Sequence, residues 1–321
     1  MTLTLAVLLL AGAAVPYLLP RTGLSPMLGA SLWLCVLALR AVLVVLAVLV
    51  LILFLPATAL FQLTTHWCFH AVIPFVTTHL GFSGHRVGDA ATLLPGVVLG
   101  LSAISALFAL WRTARSVRGW VRRSSLGPGP KESLIVGGSE IVVAAAGIRA
   151  PKVVISTGAL TQLDEDELAA SLEHERGHIA RRHPYLAVAA RLLFAVARPL
   201  PGSRDALRRV QFCLERDADE YAVDRTRNPI ALASAICKAA TDSPAPNAAL
   251  ATLAGSGAPA RLRLLLDRSA ARPRVWADLA GCSLLAALVG LVLLTAASTP
   301  TLAEAGVASL GSGDASHSCD S

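Results

Sequence analysis

Charge is scarce in this sequence. Asp, Glu, Lys and Arg make up 15% of its 321 residues, 55% are hydrophobic, and the mean hydropathy is +0.62. An ordinary soluble protein is not that apolar, and the balance points to membrane spans. Lysine is nearly missing, at three against 25 arginines. The cysteines, at 35, 68, 213, 237, 282 and 319, include no C-x-x-C pair. That spacing excludes a zinc ribbon and a disulfide framework, so they read as buried or free thiols. There is no S-x-x-K acylation motif, no nucleic-acid-binding motif and no internal repeat.

What the chain does have is long apolar runs. Residues 3–19, 33–55 (within an apolar stretch from 28), 90–111 and 276–297 are each long enough to cross a bilayer. The first lacks the basic residue that precedes a signal peptide's apolar part, so it reads as a span. Arg40, inside the second run, is expected to snorkel to the cytoplasmic interface. The expected organisation is three transmembrane helices in 1–111 with an extracytoplasmic loop at 56–89. A cytoplasmic domain at 112–275, a fourth helix and a short extracytoplasmic tail at 298–321 follow. The fold class expected is a mainly α membrane protein with a cytoplasmic α+β domain.

Orientation follows from charge. Of 28 Lys and Arg, 25 lie between Arg112 and Arg274, beginning with Arg112, Arg115, Arg118, Arg122 and Arg123 directly after the third run. The positive-inside rule places that section in the cytoplasm and the N-terminus outside. With no nucleic-acid motif present, the basic excess reads as a face toward anionic lipid head groups rather than toward nucleic acid.

Within 112–275, residues 124–133 read as a Gly/Pro linker and 140–146 and 152–155 as strands. Asp164-Glu165-Asp166-Glu167 reads as the acidic first turn of a helix over 165–183 stopped by Pro184. Residues 185–198 are too short to span and read as a buried or interfacial helix. Helices are also expected over 204–226 and, basic and amphipathic, over 260–268, with a loop at 242–259. Strand 152–156 is expected at a sheet edge, where a peptide could add as a further strand.

The chemistry sits in Glu173-His174-Glu175-Arg176-Gly177-His178, which contains H-E-x-x-H. Two histidines four apart share one helix face and can hold one metal ion, with Glu175 as general base. A catalytic zinc wants three protein ligands, and Glu215 in Leu214-Glu215-Arg216-Asp217-Ala218-Asp219 is the candidate third. Asp219, one turn on, can hydrogen-bond a ligand histidine. Arg176 puts a charge inside the motif for which the sequence offers no reason. Tyr221 and His183 are candidate oxyanion donors. In loop 56–89, His66, His70, His79 and His85 read as scattered interfacial histidines rather than a metal sensor, and a pairing of Cys68 with Cys319 is left open.

The run Val153–Leu160, the acidic turn, the H-E-x-x-H segment and the later E-x-x-A-D-x-x-A together resemble gluzincin peptidases with integral membrane domains. The resemblance covers roughly 134–268. It implies one zinc ion on His174, His178 and Glu215, with Glu175 as catalytic base. Three spans before the site and one after resemble the BlaR/MecR type rather than the HtpX/CAAX-protease type, which places spans between its zinc motifs. The 24 residues after the fourth run leave no room for the penicillin-binding sensor domain of that type. The function implied is a zinc endopeptidase in a bacterial plasma membrane that cleaves a BlaI/MecI-like repressor. An HtpX-like quality-control protease or a non-catalytic signalling subunit are the alternatives. The partners implied are a protein substrate and membrane lipid, with homo-oligomerisation left open.

Overall fold

The computed structural model describes residues 24–54, 84–147, 150–242, 257–267 and 275–313. The expected first span, most of loop 56–89 with His66, His70, His79 and Cys68, the middle of the 242–259 loop, and Cys319 lie outside the described residues.

Among the described residues three helices are long and apolar enough to cross a membrane, over Pro26–Ile52, Gly96–Ser124 and Val275–Leu294. They belong to α1 (Pro26–Phe54), α2 (Gly84–Ser124) and α9 (Val275–Gly313). The last continues well past residue 297, where a tail was expected. Leu94, Val98, Leu101, Leu107 and Trp111 on α2 and Leu279, Leu293 and Leu294 on α9 are exposed, a surface that in water would carry a large hydrophobic cost.

Between α2 and α9 lies a sheet with helices on it. The sheet holds β1 (Ser125–Pro128), β2 (Leu134–Val136), β3 (Val143–Ala146) and β4 (Lys152–Ser156) in the order β1-β2-β4-β3. β2 pairs parallel with β4, Leu134 opposite Val154, and β3 pairs antiparallel with it, Val143 opposite Ile155. β4 is therefore interior, not an edge. Val153, Val154 and Ile155 are all buried, the continuous apolar run of a strand covered on both faces. β1 and β3 are the edge strands. The expected linker at 124–133 instead makes β1 and a tight turn at Pro130–Glu132, with Lys131 and Glu132 at φ of 52° and 64°.

The helices are α3 (Thr157–Gln162), α4 (Glu165–Ala180), α5 (His183–Ala197), α6 (Ser203–Thr226), α7 (Pro229–Asp242) and α8 (Ala258–Leu266). α4 opens on a capping box: Asp164 accepts from the Glu167 amide and Glu167 accepts from the Asp164 amide. It ends earlier than expected. Arg182 turns left-handed at φ 56°, and His183-Pro184 begins α5. Pro184 starts a helix here because a first-turn proline loses no intrahelical bond.

α6 joins two cores. Its Ala222 and Val223 pack with the sheet, α4 and α7. Its Ala206, Val210, Cys213 and Leu214 pack with Leu32, Val36, Leu37 and Leu43 of α1 and with Ala190 of α5. Arg40 does not snorkel. It is fully buried, and donates from Nε to Ser203 Oγ at 2.9 Å and from its guanidinium to the Pro201 carbonyl. The turn before α6 packs against α1 and encloses the side chain before it can reach solvent.

Candidate metal centre

α4 supplies His174, Glu175 and His178, and α6 crosses it to supply Glu215 and Asp219. The crossing is close because of Gly177, where a Cβ would meet Tyr221 at 3.1 Å. His174 Nε2 and His178 Nε2 are 3.2 Å apart, and Glu215 lies 3.5 Å from the first and 3.6 Å from the second. Tetrahedral zinc with ligands at about 2.0–2.1 Å sets its donors about 3.3–3.4 Å apart. The three side chains thus have the right chemistry and separation for zinc.

Charge argues the same way. Glu215, Glu175 and Asp219 bring three negative charges and Arg261 one positive, so a divalent cation brings the cluster to neutrality. Burial opposes a charge on His174, yet the adjacent Asp219 and Glu215 push its pKa up to about 9. Burial and the neighbouring His174 hold His178 down to about 3. Burial alone would raise Asp219, but Arg261 and His174 hold it at about 2, ionised at neutral pH.

Behind the donors stand two supports. His174 Nδ1 is 3.0 Å from Asp219 Oδ1, and Arg261 grips Asp219 with Nε at 2.8 Å and a terminal nitrogen at 2.6 Å. The same guanidinium donates to Glu215 at 2.9 Å. On the other side, His178 Nδ1 is 2.9 Å from His183 Nδ1, and His183 Nε2 is 3.0 Å from Asp217 Oδ2, which Arg181 also binds. With His178 Nε2 turned to the other donors, its Nδ1 carries the proton and donates to His183, which donates to Asp217.

Glu175 is 1% exposed, and its Oε2 accepts from the Ala145 amide of β3 at 2.7 Å. The general-base candidate therefore sits against that edge strand. Arg176 now has a reason: it donates to Glu173 at 2.9 Å and to the Lys131 carbonyl at 2.7 Å, tying the left-handed Pro130–Glu132 turn to α4.

The structure thus brings together His174, His178, Glu215 and Asp219, with Glu175 between the histidines. His183 is buried behind His178, and Tyr221 packs on Gly177 under the Arg225 guanidinium at 3.6 Å. Sequence reasoning missed Arg261, Asp217 and Arg181. Arg261 is 42 residues from Asp219, and no spacing rule reaches it; the Asp217–His183 pair needed the turn at Arg182 to be known.

Residues 115–212 match the family model of Peptidase family M48. The matched stretch contains H-E-x-x-H and ends before Glu215, and it supports a metallopeptidase. No curated protein and no solved structure matches the chain.

Proposed function

We propose that the protein is a membrane-embedded zinc endopeptidase that hydrolyses peptide bonds on the cytoplasmic side of a plasma membrane, and that its substrate is a cytoplasmic transcriptional repressor of the BlaI/MecI kind. The observation that carries the reading is the approach of His174, His178 and Glu215 to within 3.2–3.6 Å of one another, with Glu175 on the turn between the histidines.

When bound there, zinc supplies Lewis acidity and lowers the pKa of water to about 7. Glu175 takes the proton from the attacking water and passes it to the leaving nitrogen. The Ala145 amide fixes the orientation of its carboxylate. β3, the edge strand beside Glu175, is the strand against which an extended peptide adds.

Helix directions support the membrane arrangement. The Ser25 amide donates to Asp278 at 2.8 Å, which joins the starts of α1 and α9. Gly29 beside Cys213 and Arg40 beside Ser203 put the start of α1 toward the sheet end of α6. α2 runs directly into β1 at its C-terminal end, while a Cβ on its Gly96 would meet Ile52 and Val48 near the far end of α1, so α2 runs antiparallel to α1. The arginine-rich end of α2 and the starts of α1 and α9 then share the side that carries the sheet, which is cytoplasmic by the positive-inside rule.

Substrate trapping with Glu175→Gln tests the assignment. The expected result is a soluble repressor held by the variant and cleaved by wild type. Recovery of integral membrane proteins alone rejects the repressor in favour of quality control. A cellular phenotype identical to wild type rejects the peptidase itself.

A further inference from the structure

The turn between α5 and α6, residues 198–202, has an unusual accounting of backbone groups. Pro199 and Pro201 have no amide hydrogen to satisfy. The Leu200 amide donates to the Ala197 carbonyl at 3.0 Å and the Ser203 amide to the Leu200 carbonyl at 3.3 Å. Ser203 Oγ lies 2.7 Å and 2.9 Å from the same two carbonyls and donates its one proton between them, and Arg40 donates to the Pro201 carbonyl. Such internal pairing is what non-helical backbone at membrane depth needs.

The depth follows from register. Gly29 of α1 packs on Cys213 of α6, while Arg40 meets Ser203, so α1 and α6 run antiparallel. Arg40 lies near the midpoint of the apolar segment Pro26–Ile52. On α2, Trp111 followed by Arg112 and Arg115, with Arg115 over the Trp111 ring at 5.4 Å, is the pattern of a membrane–water boundary. Counting from Gly96 beside Val48 and Ile52, that boundary falls level with about residues 33–37 of α1. By helical rise Arg40 and the turn then lie about 5–10 Å further into the bilayer.

α5, which leads to the turn, carries Arg191 as its one charged residue apart from His183. Exposed Arg208, about 8 Å along α6 from Ser203, stands at head-group level and sets the limit of immersion; Asp205 pairs with it at 3.3 Å, and Arg198 and Arg204 can reach back to that level.

We infer that the α5–α6 hairpin is a membrane-inserted wedge whose tip, Arg198–Gly202, contacts the acyl region of the inner leaflet, pinned to the α1 span by Arg40. This rests on the membrane reading above. It goes beyond that reading in giving the peptidase domain a lipid contact of its own, besides its spans. Ser203 and Glu215 are then about 18 Å apart along α6, so the candidate metal centre stands close above the lipid surface.

The test uses the full-length protein with a fluorescent amino acid in place of Leu200, Leu107 or Glu165. Leu107 is an exposed residue of α2 at the depth of Arg40, and Glu165 is exposed at the start of α4. Each labelled protein is placed in phosphatidylethanolamine–phosphatidylglycerol vesicles whose acyl chains are brominated near the head group. The expected result is a loss of fluorescence at 200 equal to that at 107, with none at 165. Quenching at 107 without quenching at 200 overturns the wedge and leaves the span intact. No quenching at either position overturns the membrane reading and the wedge with it.

Discussion

Arg261 shows what single side chains do here. It is fully buried and binds both Asp219 and Glu215, so it holds one candidate ligand directly and orients His174 through another residue. Arg261→Ala should weaken zinc binding about 10–100-fold, read by competition with a chromophoric chelator; unchanged affinity would remove Arg261 from the site. Glu167 contributes to the acid side of stability. Burial alone would raise its pKa, but Lys238, Ser234 and the Asp164 amide outweigh this and lower it. A carboxyl whose folded pKa is depressed contributes stability above its unfolded value and loses it as pH falls through the folded value. Thermal melts of Glu167→Gln should therefore show a shallower decline between neutral pH and the lowered carboxylate range than wild type. At this scale the H-E-x-x-H residues were legible because helical periodicity alone puts His174 and His178 on one face. Arg261 was not, because only the tertiary fold brings α8 to α6.

At the scale of elements, α6 is the member that does two jobs. One face carries Glu215 and Asp219 toward α4. The other carries Val210, Cys213 and Leu214 into the core with α1. Leu214, 3% exposed and adjacent to Glu215, should cost about 2–5 kcal/mol when replaced by Ala, measured by chemical denaturation, and should lower zinc affinity as well. A stability loss with no change in affinity would separate the two faces. The boundaries of α6 and the acidic opening of α4 could be read from caps and charge. β1 could not, because it ends in Gly127-Pro128 and runs into Gly129-Pro130, which signal loop, and β2 could not, because it is only three residues long, Leu134–Val136. The edge assignment of β4 failed for a related reason: an apolar run shows burial, but strand order depends on which strands flank it.

For the whole molecule, apolar length and arginine placement told the most. Three of the expected runs correspond to α1, α2 and α9, while the one at 3–19 lies outside the described residues. Mutual packing was not legible: the first half of α1 is buried against α5, α6 and α9, so the metal centre and a candidate span share a core. The full-length protein should stay in the membrane pellet after alkaline carbonate washing; release into the supernatant would oppose the spans. The most direct measurement of the central claim is metal content beside peptide cleavage, on purified wild type and Glu175→Gln in parallel. One zinc per chain in both, with cleavage by wild type alone, is the result predicted from His174, His178 and Glu215 as ligands and Glu175 as base. Undiminished cleavage by Glu175→Gln, or by wild type stripped of zinc, would contradict it.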